Sequence, residues 1–151
     1  MSKEYTKKKD KRPFVFFGII FVTSAYILFS GPIFMLNLPF LLVQIFSILL
    51  IIWALVSKHL QKLPEKNLPH GAFLVTHGPY EIIRHPIYAG LLLIMSAFVQ
   101  GYSSFSRFLV FVFLLIAVLL KLTYDERILE EHSKEFKEHK QKTHKLIPYL
   151  F

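Results

Sequence analysis

No cysteine occurs among the 151 residues, so disulfides and thiolate chemistry are excluded. The six glycines are scattered and none builds a Gly-rich turn from strand to helix, which excludes a soluble doubly wound nucleotide-binding domain. The most informative lack is of charge. From Pro13 through Ser57 there is no Asp, Glu, Lys or Arg, a run of 45 residues, and from Pro86 through Leu120 the only charged residue is Arg107. No internal repeat is visible.

What fills these stretches is hydrocarbon: 54% of the chain is apolar and 16 residues are Phe. The apolar core of a bilayer is about 30 Å thick and takes about 20 helical residues per crossing. The first run is long enough for two crossings, with a turn at "SGPIFMLNLP" where Gly31-Pro32 and Leu38-Pro39 both favour breaks. The expected spans are about Phe14–Ser30 and Pro39–Val56. The polar break "QGYSSFSR" divides the second run into two further, short spans, Pro86–Val99 and Phe108–Leu120. A soluble bundle of fully buried helices is the alternative, and apolar runs this long argue against it. The basic flank and apolar body of the first span also fit a signal peptide, but Gly31-Pro32-Ile33-Phe34 offers no small-residue cleavage site. The expected fold class is therefore an all-α integral membrane protein of about four transmembrane helices with a cytoplasmic C-terminal helix. A basic arm, residues 1–12, precedes a single membrane-embedded domain, 13–151.

Lys and Arg total 18 against 10 Asp and Glu, a net charge of +8. In a soluble chain that excess would suggest nucleic acid. Its placement argues otherwise: all but Arg107 fall in the arm, the loop between the second and third spans, or the tail, so 17 of the 18 lie on one side of a four-span chain. Cytoplasmic loops carry the Lys and Arg excess, so both termini are expected in the cytoplasm. The charge is a topology signal and an attraction to anionic lipid headgroups, and no nucleic-acid partner is expected.

Three segments share that face. The arm "MSKEYTKKKDKR" reads as a solvated basic flank. The loop Ser57–Arg84 is longer than a simple helix connection and holds Pro64 and Pro69; long loops of this kind tend to be functional. The tail from Lys121 reads as a continuation of the fourth helix, with Leu122, Ile128, Leu129, His132 and Phe136 on its apolar stripe and Pro148 as its stop. Glu130–Lys134 and Glu138–Lys142 are i, i+4 pairs that support a solvated helix face.

The stretch "HGPYEIIRHPIYAG", His77–Gly90, sets two His, two Tyr and an Arg against the start of the third span. A structural reading accounts for each singly: Gly78-Pro79 is a turn, Tyr80 and Tyr88 suit a membrane interface, Arg84 snorkels, and Pro86 opens a helix. It leaves a convergence unexplained. In an antiparallel hairpin the third span begins beside the end of the fourth, where "YDE", Tyr124–Glu126, emerges at the same depth. Carboxylates, a His and two Tyr then meet in a half-buried pocket, and ionisable groups at membrane depth mark function. The seven His complete no metalloprotease pattern, and no metal site is expected.

These residues resemble the isoprenylcysteine carboxyl methyltransferase family, which is similar also to the phosphatidylethanolamine methyltransferases. That family's first motif runs Leu-Val-Thr, Gly-Pro-Tyr, then Arg-His-Pro-x-Tyr-x-Gly. It is matched here by Leu74, Val75, Thr76, Gly78, Pro79, Tyr80, Arg84, His85, Pro86, Tyr88 and Gly90. The second motif, a basic residue, an acidic pair and a helix leading to Ile-Pro, is matched by Lys121, Asp125, Glu126, Leu129 and "KLIP" at Lys145–Pro148. The resemblance covers roughly Leu63–Pro148, in order and at the right spacing. It implies S-adenosyl-L-methionine held at the cytoplasmic membrane edge, with Tyr80, His85, Pro86 and Tyr88 lining its site and the backbone of Leu74 and Val75 closing it. It further implies Asp125 and Glu126 facing the cofactor's polar groups, Arg84 in the catalytic set, and Lys121 positioning the substrate.

Departures fall on the substrate side. Lys121 and Asp125 stand where the family often has Arg and Glu; Lys lacks the planar bidentate grip on a carboxylate. A Phe-Gly common in the tail helix is missing near "HSK", and Phe136 and His139 stand where Tyr is common. Methyl transfer from a sulfonium is an in-line displacement that needs few polar groups. A carboxylate acceptor needs no base, whereas an amine must lose a proton, for which His85 or a carboxylate would serve. Positioning and exclusion of water remain the protein's main task, and the faces of Tyr80 and Tyr88 suit a sulfonium. The expected function is thus methylation of an amphiphilic, lipid-like acceptor drawn from the bilayer, with a carboxylate favoured. Phospholipid amine N-methylation and a non-catalytic membrane scaffold are the alternatives. Of the adjacent acids, pointing about 100° apart on a helix, one is expected to approach the cofactor and the other to pair with Arg84 or another base. Lys121 and Asp125, one turn apart, share a face.

The orientation is open to direct test. A reporter fused after Phe151 is expected to be active only in the cytoplasm, and activity confined to the other side would overturn the four-span orientation.

Overall fold

The computed structural model describes residues 12–31, 37–60 and 75–146, with the His132 side chain outside that description. The arm up to Lys11, half of the loop expected to be functional (Leu74 included), and Ile147 onward likewise lie outside the described residues. Among the described residues the chain is all-helical: α1 Arg12–Phe29, α2 Leu38–Leu60, α3 Pro86–Gly101, α4 Phe105–His132 and α5 Lys134–Lys142, with one 3-10 turn at Gly78–Glu81.

Helix boundaries follow local chemistry. Pro13, Pro39 and Pro86 each sit in a first turn, where a missing N–H costs nothing and the fixed φ suits the helix. Three helices, α1, α2 and α4, are long and apolar enough to cross a membrane. The fourth expected span is different: α3 has 16 residues, about 24 Å of helix at 1.5 Å per residue, short of the bilayer's apolar core. α4 has 28 residues and at about 42 Å is longer than that core.

The tail does not continue α4 as one helix to Pro148. α4 ends at His132, Ser133 turns extended, and its Oγ accepts from the Phe136 N–H at 3.1 Å to cap a new helix, α5. α5 stops at Lys142, and Thr143 is again extended. A serine hydroxyl that satisfies an orphan N–H favours a helix start over a helix interior, which is why the chain breaks there. Leu122 and Phe136 of the expected stripe are buried, on separate helices.

α2 packs chiefly on α3 and α1 on α4, with α3 also touching α4 and α1. Gly90 allows the α2–α3 contact: a Cβ there would stand 2.6 Å from Ile51 Cγ1 and 3.2 Å from the Ser47 carbonyl. The core runs through Ile20 and Ile27 of α1, Leu92, Met95 and Phe98 of α3, and Leu114, Val118 and Leu122 of α4. Outward faces are as apolar as the core, with Phe21, Leu49, Trp53, Phe113 and Ile116 exposed, which suits hydrocarbon solvent.

Arg107, on the first turn of α4, is 1% exposed. Its Nη2 donates to the carbonyls of Ile27 and Phe98, each at 3.0 Å, and its guanidinium lies 5.5 Å from the Tyr102 ring centre. Both carbonyls belong to last turns, so two helix C-termini, each worth about half a negative charge, balance one cation. Arg107→Met leaves both carbonyls unpaired, and we expect it to cost about 2–4 kcal/mol, read as a lower Tm in detergent. Arg107→Lys is expected to recover only part, since a single ammonium can serve both carbonyls but cannot stack a flat face on the Tyr102 ring.

Candidate functional site

The site is built where the His77–Pro86 segment meets α4 and α5. Gly78 has φ +67°, the left-handed region, and a Cβ there would fall 2.4 Å from Ser57 Oγ, so the turn fits tightly on the end of α2. Pro79 and Tyr80 are buried behind it. Val75 and Tyr80 pack with Ala54 of α2 and Ile87 of α3. Burial pushes the Tyr80 phenol above its ordinary pKa, so it stays a neutral donor.

From this turn the chain runs alongside the segment after α5. Ile83 and His144 form an isolated parallel bridge: the Arg84 N–H donates to the His144 carbonyl at 2.8 Å and the His144 N–H to the Ile82 carbonyl at 3.0 Å. The Arg84 side chain adds a second tie. Its Nε donates to Glu126 Oε1 at 2.9 Å, and its Nη1 to the carbonyls of Lys140, at 3.2 Å, and Thr143. Those carbonyls end α5, where a cation is favoured by the helix dipole.

Glu126 is the hub of the cluster, with 6% of its side chain exposed. Oε1 faces both Arg84 Nε and His85 Nε2, the latter at 3.1 Å. Oε2 has the Lys140 and Lys145 ammonium groups at 3.7 and 4.0 Å, ion-pair rather than hydrogen-bond distances. Lys140 also pairs with Glu130, and Lys145 Nζ donates to Thr123 Oγ1 at 2.9 Å. Pro86 is fully buried and opens α3 directly after His85.

A second group lies on the neighbouring face of α4. Lys121 Nζ pairs with Asp125 Oδ2 one turn on and sits 4.9 Å from the Phe17 ring of α1. Lys121 is sheltered, 6% exposed, whereas Asp125 is 31% exposed. Tyr88 is within electrostatic reach of Asp125, and Tyr124 meets Phe16 with ring centres 6.3 Å apart.

The expected site residues thus divide. Arg84, His85 and Glu126 share one carboxylate; Lys121, Asp125 and Tyr88 gather beside it; Val75 and Tyr80 pack on the α2 side. Of the two acids, Glu126 pairs with Arg84, and Lys121 and Asp125 share a face. Sequence reasoning placed Lys145 only within the "KLIP" motif and missed Lys140, Thr143 and His144: a backbone carbonyl at a helix end carries no residue signature, and one Lys of a lysine-rich tail looks like any other. Phe17 was missed because α1 lies outside both motifs. Among protein-family models none matches this chain, and a search of curated proteins finds no significant match.

His139 ties α5 to the turn. Burial, then the Arg84 charge, lowers its pKa below the ordinary 6.5, against a hydrogen bond to the Tyr80 backbone that raises it, while Lys142 lowers it further. A histidine whose folded pKa is depressed adds stability above its unfolded value, lost as pH falls through the folded one. Docking of α5 is therefore expected to weaken on acidification below about pH 6.5. His139→Gln should abolish that dependence, as followed by amide exchange of α5.

Proposed function

We propose that the protein is an S-adenosyl-L-methionine-dependent membrane methyltransferase acting on an amphiphilic acceptor. The observation that carries the reading is the meeting of His85 and Glu126, 41 residues apart, at 3.1 Å, with Arg84 on the same carboxylate oxygen. These are the polar members of the two motifs on which the family resemblance rests. In this reading the four apolar helices are embedded in the bilayer, both termini and the site face the cytoplasm, and Lys and Arg meet anionic headgroups.

The donor set fits such a cofactor. Among the described residues Glu126 Oε2 has long ion pairs, leaving lone pairs for ligand hydroxyl or ammonium donors. Asp125 and the rings of Tyr88 and Tyr80 suit a sulfonium cation. S-adenosyl-L-methionine, when bound, supplies an electrophilic methyl group. The chain's own work is to hold Glu126 between His85 and Arg84, to orient His85 by its bond to Glu126, and to exclude water behind Tyr80, Pro86 and Val75. Lys121 positions an anionic acceptor if that acceptor takes Asp125's place as its partner.

A second reading has its own support. In the Lys121–Asp125 pair the exposed member is the carboxylate, so an arriving headgroup meets negative charge first. That favours an amine acceptor, as in phospholipid N-methylation, with His85 available as the base.

Calorimetry on purified protein is expected to show S-adenosyl-L-methionine binding that His85→Ala and Glu126→Gln weaken about tenfold or more, the loss of one charge-assisted hydrogen bond. Radiolabelled cofactor incubated with membranes then identifies the acceptor. Lys121→Ala should raise KM for an anionic acceptor and leave an amine acceptor nearly unaffected. No binding by folded wild type would leave the scaffold alternative.

A further inference from the structure

We propose that α5 and the segment after it, residues 134–146, form a strap over the site, and that Arg84 is its clasp: a positioning residue rather than a group that touches ligand. The inference concerns access to the site proposed above and rests on that reading only for the identity of what enters.

Three observations carry it. First, Arg84 joins three parts of the chain. Its Nε is committed to Glu126 of α4 and its Nη1 to the last carbonyls of α5, and its backbone N–H holds His144. A planar guanidinium with fixed donors is suited to joining a carboxylate and two carbonyls at once; an ammonium is not. Second, the strap supplies what covers the hub: Lys140 and Lys145, the two cations nearest Glu126 Oε2, both belong to it. With the strap docked, Glu126 and His85 are 6% and 14% exposed, and a ligand that pairs with Glu126 Oε2 has to displace the strap's two lysines. Third, the strap is joined to α4 through the extended residue Ser133, and its ties across the hub are ion pairs and hydrogen bonds of long side chains. An extended joint between two helices is a place where a segment hinges.

A closed strap clasped by this fork explains why a buried arginine belongs in the motif segment. It excludes water while docked and admits polar ligands when the fork lets go.

The chain has no cysteine, so labels and cross-links are placed cleanly. Spin labels at Arg127→Cys on α4 and Glu138→Cys on α5, both exposed positions, should give one narrow distance in the otherwise native protein. Arg84→Gln and Arg84→Lys should both broaden it toward longer distances. Unchanged distributions in both variants overturn the proposal. So does a narrow distribution in Arg84→Lys alone, since charge without the fork would then suffice. A second variant leaves Arg84 intact: Ile83→Cys with His144→Cys, bridge partners at the backbone spacing a disulfide accepts. Oxidation should abolish S-adenosyl-L-methionine exchange and reduction restore it. Equal exchange in both states overturns the strap. Absence of binding in both states counts against the methyltransferase reading, while the label distances still decide the strap.

Discussion

A charge taken out of water must be compensated within the protein, and an apolar helical bundle offers few partners. Glu126 is where that constraint binds most tightly. Desolvating a carboxylate costs several kcal/mol, repaid only by well-placed donors. Arg84 and His85 supply them from one loop, and Lys140 and Lys145 add positive charge from the segment across it. Once Arg84 is drawn to Glu126, its remaining donors also need partners. The carbonyls at the end of α5 meet that need, so the position of α5 follows from the requirement to satisfy a buried fork.

Arg107 meets the same constraint at the other end of the bundle without any acid. No Asp or Glu lies between Asp10 and Glu65, and none between Glu81 and Asp125. The available negative ends are those of helices, and Arg107 takes two of them. One end of the protein is thus fixed by a cation against helix dipoles, and the other by a carboxylate ringed with cations. The first leaves nothing to open. The second is assembled from separate segments, and its partners can be exchanged for a ligand's.

The apolar runs made α1, α2 and α4 legible, because a soluble helix of that length needs a charged or polar face toward water and these have none. α3 was legible as an apolar helix but not as a full crossing; its 16 residues match what the hydropathy pattern offered between His85 and Gly101. The break at Ser133 was not legible, because "EEHSKEF" keeps helix-forming residues on both sides and only the serine's own hydrogen bond betrays a cap. That one of the adjacent acids pairs with Arg84 or another base was legible from helix geometry, since the two diverge; that it is Glu126 was not. The α5 carbonyls that complete the cluster were not, because every residue has a carbonyl and only the fold selects which ones face inward.

The two adjacent acids end up with different freedoms, and this bears on chemistry more than their charge does. Glu126 is fixed by Arg84 and His85 on one oxygen and cannot turn without stranding a buried guanidinium. Asp125 pairs with Lys121 and has about a third of its side chain open. A group that must be present in every state of a reaction belongs on the fixed acid; a group that must be recognised, moved and released belongs on the yielding one. Asp125 is also one methylene shorter than a glutamate. Whatever approaches it meets a carboxylate already paired with Lys121. A cationic group adds to the pair without breaking it, whereas an anionic one must first take Lys121 away from Asp125. The pair therefore sets an unequal cost on the two signs of charge, and it is the anionic one that bears it.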